Sequence, residues 1–283
     1  MEVAVVGLGA VGMLLTYFLN RAGLRPRAVA RTRCGEYVFC WGGRCAGLDV
    51  ELADSAAGAD YTFLAVKAYD TSSALDKVGG TVVVVQNGIG GAEEARARGL
   101  SAYPAVLTYG VYREGCRAEL RGEGELYLPK ELAEVGDVLG KGGMRIRVVE
   151  DVEPIRWLKL AVNAAINPVT AILDRENAVV AEDPWARALA ERLAAEAGSV
   201  AEALGIKLPA DPVQEALRVA RATGPNLSSM VQDIRAGRRT EVDYINGAVV
   251  SAGRRAGVPT PYNEAVYYLV KAIESRRPSA RRP

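Results

Sequence analysis

The 283-residue chain contains no histidine. Any proton transfer it performs must therefore use lysine, aspartate, glutamate, tyrosine or cysteine. A histidine-based triad or zinc site is excluded. Cysteine is scarce too, with four residues at positions 34, 40, 45 and 116. None forms a C-x-x-C pair, which argues against a zinc ribbon or a thioredoxin-type motif. Cys40 and Cys45 flank Trp41-Gly42-Gly43-Arg44, a candidate hairpin turn, so a bridge between them is geometrically open. Free thiols are an equal reading, because disulfides are uncommon in the cytosol outside hyperthermophiles. No apolar run reaches the roughly 18 residues that span a bilayer. The start, Met1-Glu2-Val3-Ala4-Val5-Val6, has no basic segment ahead of its apolar run, so the expectation is a cytoplasmic protein with no membrane partner. An excess of one charge is also missing. With 35 Lys and Arg against 34 Asp and Glu the net charge is +1, which gives no reason to expect nucleic acid. The basic tail from Arg276 to Pro283 reads as a solvated chain end.

What is present is alternation. Val3–Val6 is a short β-branched run, followed by a glycine turn and a helical pattern from Val11 to Asn20. Ala28–Ala30, Tyr61–Val66 and Thr81–Val85 read as further strands, with Ala105–Thr108 as another candidate. Continuous apolar runs separated by helical or glycine-rich segments predict a parallel sheet covered on both faces. Segment 110–150 is richer in Gly, Glu and Arg and predicts antiparallel strands such as Glu125–Leu128 and Arg145–Val149. From Glu153 onward the pattern is helical: Ile155–Leu173, Pro184–Leu204, Pro212–Ala222, Thr240–Ala256 and Asn263–Ser275. Pro184 suits a first helical turn, and Gly205 and Gly257 suit helix ends. The expected class is an α/β Rossmann-type N-terminal domain, residues 1–152, followed by an all-α C-terminal domain, residues 153–283.

Gly7-Leu8-Gly9-Ala10-Val11-Gly12 is a G-x-G-x-x-G placed between a strand and a helix, the context this motif requires. Gly7 permits the tight turn, Gly9 lets a pyrophosphate approach the backbone, and Gly12 lets helix pack on strand. The helix N-terminus then faces the phosphates. An NAD site usually carries an acid about 20 residues further on, at the ribose 2′-hydroxyl. This chain has Arg31-Thr32-Arg33 there, and a guanidinium suits a 2′-phosphate, so NADP is favoured over NAD. Two solvated loop arginines are the bland alternative.

Lys159, Asn163 and Asn167 lie at i, i+4 and i+8 in Trp157–Pro168. At about 100° per residue they drift about 40° per step, so they form one polar stripe on an apolar helix. One ammonium and two amides among Ala, Val and Ile suggest the wall of a polar pocket; a narrow solvated face is the alternative. Burial lowers an ammonium pKa toward neutrality and makes a better general acid. Lys159 is thus the leading proton donor to a substrate carbonyl. In a second segment, Ser228–Gly247, Thr240-Glu241 opens an apolar-periodic helix, and an acid in its first turn is equally explained by the helix dipole.

Together these segments resemble the ketopantoate reductase family (2-dehydropantoate 2-reductase). The resemblance rests on the glycine turn, Lys67 in Ala65-Val66-Lys67-Ala68-Tyr69-Asp70, Gln86-Asn87-Gly88-Ile89-Gly90, residues 157–173 and residues 228–247. It implies NADPH-dependent reduction of 2-dehydropantoate to (R)-pantoate on the route to pantothenate and coenzyme A, with substrate between a Rossmann domain and a helical domain. It implies Lys159 as general acid, Glu241 as its partner in orienting substrate, and Asn163, Asn167 and Asn177 around the substrate hydroxyl. Asn87 and Ser229 would contact cofactor or substrate, and Arg31 and Lys67 the cofactor. No metal is expected, and a homodimer is compatible. Two positions depart from the family pattern: Asp70 where Gln is frequent, and Tyr109 where some members have histidine. Another two-domain dehydrogenase of a small keto or hydroxy acid, or a non-catalytic NADP-binding sensor, are the rival readings.

Overall fold

The structure is a computed structural model that describes residues 1–276; the tail from Arg277 onward, read above as a solvated end, lies outside the described residues. The chain divides into two compact units, one made of Met1–Gln86 and Gly90–Val152, the other of Asn87–Ile89 and the chain from Glu153 onward. No described helix is long and apolar enough to cross a membrane.

The first unit begins with β1 (Val3–Val6), α1 (Ala10–Arg21), β2 (Arg27–Val29), β3 (Val38–Trp41), β4 (Arg44–Gly47), β5 (Glu51–Ala53) and β6 (Tyr61–Leu64). It continues through α2 (Thr71–Leu75), β7 (Thr81–Val84), α3 (Gly91–Ala97) and β8 (Ala102–Pro104). Six of these strands form one parallel sheet in the order β5-β2-β1-β6-β7-β8. All four residues of β1 are buried, as expected of a strand covered on both faces. Chain direction across the sheet reverses between β1 and β6, and in such sheets ligands bind beyond the strand carboxyl ends at that reversal.

Two expectations for this unit need correction. The strand anticipated at Ala105–Thr108 shortens to β9 (Val106–Leu107) and joins a different sheet, while the six-stranded sheet ends one segment earlier, with β8 at Pro104. Proline has no N–H to donate and is at home on the edge that β8 occupies. Beyond it come β10 (Gly110–Glu114), β11 (Arg117–Gly122), β12 (Leu126–Pro129), α4 (Ala133–Lys141) and β13 (Ile146–Val149). β10 and β11 are antiparallel, and β12 pairs antiparallel with β9, but β12 and β13 pair in parallel. The reason is α4, which carries the chain back so that the second strand runs the same way as the first.

The cysteine alternatives resolve as two disulfides, Cys40–Cys45 and Cys34–Cys116, with no free cysteine. Cys40 and Cys45 sit in register across the β3–β4 hairpin. Its turn residues Gly42 and Gly43 have φ 56 and 77°, the positive pair that a tight hairpin demands.

The second unit is helical: α5 (Glu153–Leu173), α6 (Val179–Glu182), α7 (Pro184–Ala203), α8 (Pro212–Ala222), α9 (Ser229–Arg235), α10 (Asn246–Ala256) and α11 (Pro261–Ser275). Asp183 and Asp211 cap α7 and α8 ahead of prolines in the first turn. Gly257, at φ 71°, closes α10 as anticipated. The continuous helix expected over Thr240–Ala256 does not form. A 3₁₀ turn spans Val242–Tyr244, the chain breaks at Ile245, and α10 starts only at Asn246. Thr240 is pulled out of helical register because both its N–H and its hydroxyl donate to Glu274 on α11, at 2.7 and 2.6 Å.

Candidate active site

In the first unit, the glycine turn separates into two kinds of position. Gly7 has φ 102°, and a Cβ there would lie 2.7 Å from the Val66 nitrogen. A Cβ on Gly12 would lie 1.9 Å from the Gly7 carbonyl oxygen, so helix and strand could not close. These two glycines are required by the fold itself. Gly9 is different: nothing lies within 4 Å of an added Cβ. It is the N-cap of α1, no side chain caps that helix, and no acid sits in its first turn. Bare amides facing open space fit an anion such as a pyrophosphate. Leu8 is buried beneath the turn, while Ala10 and Val11 form the half-buried start of the helix. Lys67 lies just past the carboxyl end of β6, the strand next to β1, as N-cap of a 3₁₀ turn over Ala68–Asp70.

At the end of β2, Arg31 lies three-quarters exposed, at 78%, and is engaged by Asp70 through both terminal nitrogens, at 3.2 and 2.7 Å. Arg33 is held by Asp54 at 2.5 Å. Tyr109 accepts the Arg145 backbone N–H at 2.9 Å.

In the second unit, three of the anticipated residues meet. The Lys159 ammonium donates to Asn87 Oδ1 at 3.0 Å, and Asn87 Nδ2 donates to Glu241 Oε2 at 3.4 Å. Burial pushes the Lys159 pKa down to about 8, opposed by the nearby Glu241 carboxylate. Glu241 itself is 5% exposed and precedes a three-residue 3₁₀ turn, too short for a helix dipole to explain an acid there. Asn87 reaches this place because its loop is docked on the Glu241 segment. Ile89 N–H donates to the Tyr244 carbonyl at 3.1 Å, and Gly88 (φ 83°) has no room for a side chain, since a Cβ would lie 2.2 Å from that carbonyl oxygen. The sequence marked Asn87 as a contact residue but not as the link between Lys159 and Glu241. The glycine beside it was the available signal.

Asn163 and Asn167 follow Lys159 along α5. Neither side chain is committed to a hydrogen bond among the described residues. Asn177 is not joined to the lysine group. It lies before α6, donates to Thr223 Oγ1 at 2.9 Å, and keeps Oδ1 buried without a partner. Ser229 starts α9 half-buried, whereas Ser228 is the structural hydroxyl: it caps the Val231 N–H and bonds Thr170 Oγ1 at 2.8 Å.

The family profile of ketopantoate reductase PanE/ApbA matches residues 3–131, and that of its C-terminal part matches residues 151–274. A 2-dehydropantoate 2-reductase of Pyrobaculum aerophilum is 55% identical over 271 residues, covering 96% of this chain and 97% of that protein. The crystal structure of a PanE/ApbA family ketopantoate reductase from Ralstonia eutropha superposes with a TM-score of 0.88 at 27% identity, covering 98% of this chain and 99% of that one. A D-mandelate dehydrogenase solved with NADH superposes with a TM-score of 0.84 at 25% identity, covering 97% and 99%. With the parallel-sheet dinucleotide fold, the helical unit and these matches in hand, the chain belongs to the ketopantoate reductase family.

Proposed function

We propose that the chain reduces 2-dehydropantoate to (R)-pantoate, with NADPH as the preferred cofactor. The observation that carries this is the Lys159–Asn87–Glu241 group, with Glu241 buried and the other two half-buried, within a family whose relatives bear that activity in their names. When bound, the nicotinamide cofactor supplies the hydride that reduces the ketone carbon. The backbone of Gly7, Leu8, Gly9, Ala10, Val11 and Gly12 would hold its pyrophosphate, Arg31 its 2′-phosphate, and Lys67 and Asn87 further parts.

The remaining chemistry belongs to the chain's own side chains. Lys159 carries a proton at neutral pH, yet with a pKa near 8 it releases that proton more readily than an ordinary lysine. Asn87 Oδ1 accepts one N–H of the ammonium and so fixes the orientation in which Lys159 would meet the substrate carbonyl oxygen. The charge on that oxygen is stabilised by the same group that protonates it, so no metal is needed for polarisation. Glu241 balances the ammonium and, through Asn87, limits its orientations. Asn163 and Asn167, with uncommitted amides, offer donors and acceptors to the substrate hydroxyl and carboxylate. Asn177 and Ser229 are assigned as further substrate contacts. A homodimer is part of the same reading, with the exposed Tyr268 and Leu269 of α11 as candidate interface groups; sedimentation tests it.

One observation favours a second reading. The D-mandelate dehydrogenase shares the whole frame, so a different 2-keto acid is the rival substrate. The test follows NADPH and NADH oxidation with 2-dehydropantoate, with 2-oxoisovalerate, which lacks the substrate hydroxyl, and with benzoylformate. Preference for 2-dehydropantoate is expected. A preference for either other acid would reject the proposed substrate. Cofactor binding without turnover of any would point to a sensor.

A further inference from the structure

We propose that Asp70 is a specificity-determining residue: it competes with the cofactor's 2′-phosphate for Arg31 and so narrows the preference for NADPH over NADH. The proposal rests on the assignment of Arg31 to the 2′-phosphate.

The two partners are unequal. Arg31 is a long, 78% exposed side chain, whereas the Asp70 side chain is only 19% exposed. Asp70 is also set in its turn, because its N–H donates to the Lys67 carbonyl at 2.8 Å and its own carbonyl accepts Ser73 Oγ at 3.0 Å. A largely buried carboxylate on an anchored turn therefore holds the exposed end of a long side chain. The bond is bidentate through the two terminal nitrogens, the edge by which arginine also grips a phosphate. Arg33 is paired too, though by a single contact from Nη2 to Asp54 Oδ1 at 2.5 Å and to a carboxylate that is 95% exposed. The end of β2 thus presents two guanidiniums already faced by two carboxylates.

A 2′-phosphate that binds Arg31 must exchange with the Asp70 carboxylate on that edge or share the guanidinium with it. Exchange replaces one charge-assisted pair by another, so the net gain is small. Sharing leaves a carboxylate beside a phosphate that carries about 1.5 to 2 negative charges, and the two repel. NADH has a hydroxyl there and leaves the Arg31–Asp70 pair intact. The expected result is an enzyme that binds both cofactors with affinities closer together than a free arginine would produce.

The test is a fluorescence titration of NADPH and NADH into the full-length protein and into Asp70→Asn, Asp70→Ser, Asp70→Glu and Arg31→Ala, with melting curves to verify folding. Asp70→Asn and Asp70→Ser are expected to tighten NADPH by about three- to twenty-fold, the range for removing one like charge at a solvent-exposed site. NADH should move by no more than about twofold on the same scale. Asp70→Glu, which keeps the charge, should retain the narrow ratio. Unchanged or weakened NADPH binding in both neutral variants overturns the proposal. If Arg31→Ala weakens NADPH while the neutral variants do nothing, only the role of Asp70 falls. If Arg31→Ala leaves NADPH unaffected, the assignment of Arg31 falls and takes this inference with it.

Discussion

Asn246 donates from Nδ2 to the Ala164 carbonyl at 3.0 Å, the carbonyl that Pro168 leaves without its i+4 partner. A proline inside a 21-residue helix would otherwise strand a buried acceptor. Asn246 is fully buried and also donates to Asn263 Oδ1 at 3.0 Å, tying α10 to α5 and α11. Asn246→Ala should destabilise the protein by about 2–3 kcal/mol, the cost of leaving such groups unpaired. In a double-mutant cycle, Pro168→Ala should recover part of that loss by restoring the N–H. Strict additivity in denaturant unfolding would disprove the link.

The lysine pKa makes a kinetic prediction. If Lys159 is the general acid proposed above, it acts only when protonated, and kcat/KM should fall as pH rises through about 8. Asn87→Asp places a carboxylate against the ammonium and should move that alkaline limb upward by about one unit. Lys159→Ala should lower kcat at least about 10²-fold and abolish the limb. A limb that persists in Lys159→Ala belongs to another group.

The same group predicts a pH dependence of stability. The folded-state pKa of Lys159, about 8, lies below its ordinary value of 10.5. The unfolded chain therefore holds more protons between those limits, and stability rises with pH across that window. Below pH 8 the buried ammonium is a standing cost to folding, on the order of 3 kcal/mol. Lys159→Met should remove the rise, as urea unfolding at pH 7 and at pH 9.5 would register.

Gly9 and Gly12 should respond in opposite ways to alanine. Gly12→Ala drives a methyl into the Gly7 carbonyl and should cost about 1–3 kcal/mol or more in thermal stability. Gly9→Ala meets no protein atom within 4 Å, so the fold should survive while dinucleotide affinity falls at least about tenfold. Calorimetry of both variants separates the effects, and an intact affinity in Gly9→Ala would remove the pyrophosphate from this turn.

The two disulfides should differ in weight. Cys34–Cys116 closes a loop with a sequence separation of 82, Cys40–Cys45 one of only 5. On loop-closure entropy, losing the long one should cost about 4–5 kcal/mol and the short one about 2. Melting of Cys34→Ser and Cys45→Ser should show that order; the reverse would mean the long bridge does little to restrain the unfolded chain.

The local signals were legible in the chain before folding. A strand, three spaced glycines and a helix mark the turn, although only Gly12 answers a local steric demand: the atom that excludes a side chain at Gly7 belongs to Val66, and Gly9 meets no protein atom within 4 Å. The spacing of Lys159, Asn163 and Asn167 puts them on one helix face by geometry alone, and the absence of histidine leaves lysine among the few residue types able to act as the proposed proton donor. Long-range partners were not legible. Nothing near position 159 announces that Asn87, 72 residues away, will hold its ammonium. Nothing near Arg31 announces that Asp70 will. The parallel pairing of β12 with β13, the break before Asn246 and the Cys34–Cys116 bridge likewise depend on which distant segments pack together. Residue type and spacing thus determined the kinds of chemistry this protein can perform. Only tertiary packing decided which charges are buried, which are already paired, and how readily Lys159 gives up its proton, because desolvation and pairing belong to the folded surroundings of a residue.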